Sequence, residues 1–582
     1  MSIKPSVLIS HSTGDFIPHD VGPFPTHHLI GGIHEKSPLN FLPDGAVFRA
    51  YGKHDGARKT YKSTVSPSVI SDSVEQIMGQ PNIWGPPPDM KGWQNWNRDL
   101  GNMSHPKELE PTLLACAAAD YQSSLLKSIP QERIDRISPL TDDAAISGVD
   151  GVFGLDCVNM QSSCGLPINK PKNKVLSRSN IPRNGISQPI DIPPYLVDEI
   201  RRMENVLAAG RRDNIQFSAC IKDEPTKNTK KKGRIFCGSP IAATHITRKY
   251  FLPICKLMME NSYLFECAVG INAHGKDWDE LARNIQKYGP NRMIAGDYSD
   301  YDSTMPASIT LAAFGILIDI ARRAGYSERQ LEIMRGLATE ICYPTYEYNG
   351  EYIQILGSNP SGQALTVFIN SICNSLYMRI AYYSIYRYSR TEIFNEHVSL
   401  MTYGDDNIMS VSEDRPEFTH TSIAAALANY DISYTMADKT AASIPYIHLS
   451  QTSFLKRQFV FSEEYGIYLA PIEEMSLFKT LHSHLASKEL TKEEHAANAI
   501  DCVLREWFLF GEEVFNQRRM QLLEIAKKHT LMHHFRDNQL LTFDYLDSEF
   551  RNKYLTQDIS PKSDPLAGKS SAWNASTLIL IE

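Results

Sequence analysis

Two acidic clusters about a hundred positions apart hold the side chains best suited to chemistry. In RMIAGDYSDYDSTMP an apolar run ends on Asp297, a turn follows, and a second aspartate, Asp302, comes next. In SLMTYGDDNIMSVS two strand-like runs flank Gly404-Asp405-Asp406, the pattern of a β-hairpin with an acidic tip. Each cluster alone has a plain explanation, since Asp and Gly are what tight turns use. The combination says more. Neighbouring strands lie about 4.8 Å apart, so Asp297 at a strand end and Asp405 at a hairpin tip would face each other. Carboxylates that close repel unless cations lie between them. Hard oxygen ligands suit Mg²⁺, which keeps waters and bridges to substrate phosphates. Two such ions about 4 Å apart clamp the attacking and leaving oxygens of an in-line displacement.

Between the clusters lies GSNPSGQALTVFINSICNSLYM. Pro360-Ser361-Gly362 predicts a flexible turn and a helix after it. Leu365, Phe368, Ile369, Ile372 and Leu376 follow helical apolar spacing and would face the core. Thr366, Asn370 and Asn374 recur at i, i+4 and i+8 as a polar stripe on another face. The stripe is either a solvated face or, if it lines the site, a reader of the substrate. In the second case Asn370 and Asp302 would hold a ribose 2′-hydroxyl, the group that distinguishes RNA precursors.

ACIKDEPTKNTKKKGRIFCG gathers Lys222, Lys227, Lys230, Lys231, Lys232 and Arg234. Such a run is a solvated loop, a nuclear-import signal or a phosphate-binding element. Its apolar flanks favour a hairpin packed on the body, projecting cations that would neutralise a triphosphate.

The elements that must position these groups follow from the rest of the chain. At 582 residues several subdomains are expected, and 42% hydrophobic with 22% charged residues describes a folded chain. No run of 18 apolar residues occurs, so no membrane-spanning helix is expected, and the N-terminus lacks a secretory pattern. The net charge of −8 is compatible with nucleic-acid binding, because binding follows local patches. The ten cysteines lack zinc spacing and suit reduced core positions. His27/His28 and His533/His534 read as packing or surface pairs. The first 110 residues predict loops and short strands, and 165–194 a basic, proline-punctuated linker or backbone-tracking loop. LVDEIRRMENVLAAG and DWDELARNIQKYG predict helices, RMIAGD and SLMTY strands. Beyond about 475 the pattern is helical, and 558–576 is loose.

In order along about 300 residues, the motifs resemble those of picorna-like viral RNA-dependent RNA polymerases. SSCGLP (162–167) looks like the motif where template meets the fingers, and KDEPTKNTKKKGRIF like the basic nucleotide-channel motif. DYSDYD, PSGQALTVFIN and YGDD resemble the first three catalytic motifs. MADKT (436–440) is similar to the lysine-bearing fourth, and FLKR (454–457) to the primer grip.

The resemblance implies an α+β right-hand fold of fingers, palm and thumb, with an antiparallel palm sheet and a helical thumb. The expected divisions are 1–240 fingers with an index-finger region, 241–328 first palm part, 329–355 fingers insertion, 356–462 second palm part with the hairpin, and 463–582 thumb and tail. Asp297 and Asp405 would ligate two Mg²⁺ ions, for which Mn²⁺ would substitute, with Asp406 supporting them. Lys222 and Arg234 would contact the triphosphate, and Asp302, Ser361, Thr366 and Asn370 the ribose and base alignment. Lys439 would be the general acid on pyrophosphate, since protonating a leaving group lowers its cost of departure. Ser163, Gly165, Pro167, Gly362, Lys456 and Arg457 would contact RNA. Template and product RNA, nucleoside triphosphates, a small viral protein primer and other replication proteins are the implied partners. The implied location is membrane-associated replication complexes in the host cytoplasm. The segment between Lys222 and Arg234 is shorter than in typical picornaviruses, so its middle lysines are not assigned singly. The longer chain and TYGDDN fit insect- or algal-virus branches.

Two other readings remain. A reverse transcriptase shares the palm, but Asp302 and Asn370 argue against it, because DNA-making relatives place a bulky side chain near the 2′ position. A non-catalytic RNA-binding scaffold on the same fold is the other.

Overall fold

The computed structural model describes residues 8–9, 29–30, 32–42, 44–54, 62–88, 90, 92–105, 107–389, 391–437 and 441–555. Four strands and three helices position the site. They are α1 (Lys276–Ile285), β1 (Met293–Tyr298), α2 (Thr366–Ile385), β2 (Val398–Tyr403), β3 (Asp406–Val411), α3 (His420–Ala428) and β4 (Tyr434–Met436). The strands form an antiparallel sheet in the order β2-β3-β1-β4. β1 and β2 fall where their apolar runs predict them, as do α1 and the helix Pro194–Ala208.

Strand alternation gives the sheet two buried faces. Met293, Ala295, Met401 and Ile408 pack with Trp278, Leu281 and Ile285 of α1. Ile294, Tyr298, Leu400 and Met409 join the larger core with α2 and α3. The five apolar positions at the start of α2 are all buried in that core. Each such side chain contributes about 1.5–3 kcal/mol on burial, which fixes the rotation of α2 about its axis.

A second sheet lies on the basic hairpin. Gln216–Ile221 pairs antiparallel with Ile235–Gly238 and parallel with Thr345–Tyr348, followed by Glu351–Ile355 and Phe48–His54. The expected hairpin therefore forms. Between its strands, Thr226–Lys227 pairs with Trp84–Gly85. The early chain also holds helices, at Ser71–Met78 and Gln94–Met103, where only loops and short strands were expected.

Beyond about 475 the described chain is mainly helical as predicted, through Glu474–His482, Lys492–Trp507, Glu512–Lys528 and Phe543–Phe550. Its core also takes in Ile70, Val74, Met78 and Trp84 from the early chain. Val65–Pro67 adds a two-stranded sheet with Ser483–Leu485. The rings of His533 and His534 lie 4.0 Å apart, tilted by 39° to one another. His27, His28 and 558–576 lie outside the described residues.

Candidate active site

The two acidic clusters meet at one end of the four-stranded sheet. Gly296 of β1 is opposite Asn407 of β3, and Asp297 is opposite Thr435 of β4. Asp297 is thus the next residue along from a pair that sits just beyond the hairpin turn. That turn is Gly404-Asp405, closed by the Tyr403–Asp406 pair. Gly404 has φ of 63°, as a two-residue hairpin with glycine first in its loop requires. Asp297 and Asp406 are half-buried and Asp405 is exposed. Adjacent strands bring these carboxylates together where the apolar cover of the sheet ends.

The turn is clamped from α2 by a residue the sequence placed only in a polar stripe. Asn374 is fully buried, and its amide donates to the carbonyls of Gly404 at 3.0 Å, Asp405 at 2.9 Å and Asp406 at 3.3 Å. Its oxygen accepts from the Tyr298 hydroxyl at 3.0 Å and from Asn407 at 3.1 Å. Burial holds the Tyr298 phenol far above its ordinary pKa, so it stays a donor. One turn earlier, the Ser371 hydroxyl accepts the Gly404 N–H at 2.9 Å. The solvated-face reading of the stripe is therefore wrong for Asn370 and Asn374, both of which are buried. An amide recurring inside an apolar helix was the available signal; its target was not.

Asp302 stands beside this turn, and the Asn370 amide donates to its carboxylate at 2.7 Å. Asn359, which no spacing singled out, donates to the Asn370 oxygen at 2.7 Å and through its backbone to the Asp302 carbonyl at 2.9 Å. The amide of Asn370 is thereby held with its nitrogen toward Asp302. Burial pushes the Asp302 carboxyl up; the Asn370 hydrogen bond and Arg234 pull it down, while Asp405 raises it, and the result is about 6. Thr366 turns away from this pair. Its hydroxyl donates to Gln363 at 2.9 Å and Pro360 at 3.3 Å, holding the loop that carries Ser361.

That loop is seated by close backbone approach. Gly362 bridges to Gly238 of the basic hairpin, and a Cβ at position 362 would lie 2.3 Å from the Cys237 carbonyl oxygen. Its glycine is required by packing, whatever its contact with RNA. At the mouth of the hairpin the Lys222 N–H donates to the Arg234 carbonyl at 2.8 Å. The two side chains flank Glu224, at 3.2 and 3.8 Å. Both remain exposed, Arg234 the more so. The loop of Ser163, Gly165 and Pro167 packs behind this hairpin: the Ile241 N–H donates to Cys164, and buried Lys172 donates to the Ser163 carbonyl.

FLKR divides in two. Lys456 is exposed, 3.9 Å from Glu473. The Arg457 guanidinium makes two hydrogen bonds of 2.9 Å to Glu506 and one of 2.8 Å to the Ala470 carbonyl. These bonds tie the sheet-bearing body to helix Lys492–Trp507, a bidentate carboxylate matching the guanidinium fork. Lys439 lies outside the described residues.

The donor set suits a hard divalent cation that keeps part of its water. Among the described residues no three His, Cys, Asp or Glu side chains form a ready-made metal cage. Mg²⁺ does not require one, since it is ordinarily held by one or two carboxylates with substrate phosphates completing its shell. At about 5 Å and an effective dielectric of about 20, two carboxylates repel by roughly 3 kcal/mol, which a cation between them reverses.

The family model for viral RNA-dependent RNA polymerases matches residues 118–525. The replicase polyprotein of Drosophila C virus (strain EB) is 26% identical over 555 residues, covering 90% of this chain and 30% of the polyprotein. That of Cricket paralysis virus is 29% identical over 380 residues, 62% of this chain and 21% of the polyprotein. The RNA1 polyprotein of Broad bean wilt virus 2 is 27% identical over 442 residues, 73% and 23%. The chain spans less than a third of the length of these relatives. The solved Sicinivirus 3Dpol RNA-dependent RNA polymerase superposes with a TM-score of 0.67 at 17% identity, over 87% of this chain and 99% of its own, so the right-hand polymerase fold is shared. With its carboxylates gathered at the end of a four-stranded antiparallel sheet and a family match across most of its length, the chain belongs to the RNA-dependent RNA polymerases of picorna-like viruses.

Proposed function

We propose that this chain replicates a viral genome by two-metal nucleotidyl transfer, adding nucleoside triphosphates to the 3′ end of RNA paired to a template. The observation that carries the reading is the meeting of Asp297 with the Asp405-Asp406 turn, beside the Asp302–Asn370 pair. Asp297 and Asp405 hold two Mg²⁺ ions, with Asp406 in support; Mn²⁺ serves in their place. Bound there, the ions lower the cost of deprotonating the 3′-hydroxyl and neutralise the departing pyrophosphate. Lys222 and Arg234 face the triphosphate with fixed positive charge. Asp302 and Asn370 present an acceptor and a donor to the ribose 2′-hydroxyl, and Ser361 and Thr366 shape the loop beneath the nucleotide. Lys439 delivers a proton to pyrophosphate. Ser163, Gly165, Pro167, Gly362, Lys456 and Arg457 line the path of RNA, whose sequence is read by base pairing and not by the protein.

Residues 1–240 are read as fingers, 241–328 and 356–462 as palm, 329–355 as a fingers insertion and 463–582 as thumb and tail. A protein primer, other replication proteins and membrane-associated complexes in the host cytoplasm complete the proposal. Among the described residues no helix is long and apolar enough to cross a membrane.

The test is primer extension on a homopolymeric RNA template with Mg²⁺, comparing the wild type with Asp405→Asn and UTP with dTTP. Extension with UTP, lost in Asp405→Asn and far weaker with dTTP, is expected. Normal elongation by Asp405→Asn sinks the metal assignment. A well-folded wild type that extends no primer with either metal points to the inactive scaffold.

A further inference from the structure

Thr64 straps the basic hairpin to the thumb. The Thr64 N–H and hydroxyl donate to the Asp223 carboxylate at 2.6 and 2.8 Å, and the Ser63 hydroxyl adds a third bond at 2.6 Å. On its other side, the Thr64 carbonyl accepts the Ala486 N–H at 2.8 Å. The following strand, Val65–Pro67, pairs with Ser483–Leu485. Ser483 in turn donates its N–H to the Lys479 carbonyl, closing the helix Glu474–His482. This chain of contacts carries Lys479, from the thumb, to the neighbourhood of Lys222 and Glu224.

The charges gathered there do not balance. Lys479 is half-buried, and the ionic groups acting on it are Glu224, Lys456, Lys222 and Lys230. Glu224 is already shared between Lys222 and Arg234, and Glu473 is the acid nearest Lys456. Lys222, Lys230, Arg234, Lys456 and Lys479, brought from three parts of the molecule, therefore outnumber Asp223, Glu224 and Glu473. Loss of water and the surrounding cations depress the Lys479 amine below the ordinary lysine range. A compact polyanion would relieve that repulsion, and several fixed cations around a partly dry cleft would concentrate it there.

We propose that Lys479 is a polyphosphate-binding residue, which with Lys222 and Lys230 takes the phosphate chain of a nucleotide passing between the basic hairpin and the thumb. The same chemistry accommodates pyrophosphate on its way out. The inference rests on the polymerase reading, and it adds a thumb residue that no motif in the sequence marks.

The experiment measures binding of inorganic tripolyphosphate to the full chain by calorimetry, and steady-state extension with UTP, for the wild type, Lys479→Gln and Lys479→Arg. Thermal melting verifies that each variant folds. In Lys479→Gln, tripolyphosphate binding weakens by about three- to ten-fold, the loss of one charge-assisted contact. If the site serves incoming nucleotide, KM for UTP rises by a similar factor with kcat and RNA affinity unchanged. If it serves the product, inhibition by added pyrophosphate weakens instead. Lys479→Arg restores the wild-type values in either case. Folded Lys479→Gln with wild-type tripolyphosphate affinity overturns the proposal. So does weaker RNA affinity with unchanged KM and pyrophosphate inhibition, which would make Lys479 an RNA contact. The calorimetry needs no turnover, so a wild type that fails to extend primers would overturn the polymerase reading and leave this result legible.

Discussion

Asn370 donates its side-chain amide to the Asp302 carboxylate at 2.7 Å, joining residues 68 positions apart beside the acidic turn. Because Asn359 holds the other end of the amide, the pair presents one fixed arrangement to a ribose. Asn370→Ala removes the donor and frees Asp302 to turn. Discrimination between UTP and dTTP, measured as the ratio of their kcat/KM values, should fall by about ten-fold, the worth of one hydrogen bond to a charged group. An unchanged ratio would remove this pair from ribose reading.

The Asp302 carboxyl is held at about 6 in the fold, against an ordinary value of 3.8. Between those values the folded protein keeps a proton that the unfolded chain releases. Stability is therefore highest below about pH 4 as far as this group is concerned, and declines as pH rises through 6. In metal-free protein the effect is about 2 kcal/mol, allowing for partial exposure. Melting curves from pH 4 to 7 should show a steeper decline for the wild type than for Asp302→Asn. Parallel curves for the two proteins would assign the slope elsewhere.

Asn374→Ala should be among the most damaging substitutions outside the carboxylates. It strips partners from three backbone carbonyls of the acidic turn and from the buried Tyr298 hydroxyl. A loss of about 2–4 kcal/mol of stability is expected. Activity per folded molecule should drop as well, since the turn sets where Asp405 stands. Denaturant melts and extension rates measured side by side check both; full activity at reduced stability would make Asn374 a packing residue only.

The Arg457–Glu506 tie has its own pH signature. Burial raises the Glu506 carboxyl, but hydrogen bonds from His274 and Arg457 outweigh it and bring it to about 2, below the ordinary 4.5. The stabilisation is complete above about pH 4.5 and is lost as pH falls toward 2. Glu506→Gln should cost about 1–3 kcal/mol at neutral pH and flatten the acid side of the stability curve. Equal acid sensitivity in wild type and variant would show that the tie contributes little.

Sequence by itself settled whatever depended on near neighbours along the chain. Apolar runs around a Gly-Asp turn made the hairpin, because a two-residue loop and strand alternation leave little other choice. The apolar spacing of Leu365, Phe368, Ile369, Ile372 and Leu376 gave the buried face of α2, and apolar flanks closed the hairpin between Lys222 and Arg234. Motif order along the chain gave the family. Tertiary structure decided which groups meet when tens to hundreds of positions separate them. Nothing local marks Glu506 as the partner of Arg457, Thr64 as the link between Asp223 and Ala486, or Val74 as part of the core of the C-terminal helices. Asn374 shows the division within one residue. Its recurrence on a helix face is legible from spacing, but its grip on the acidic turn exists only because the β2–β3 hairpin packs against α2. Backbone carbonyls carry no sequence signature, so the side chain that satisfies them is chosen by packing.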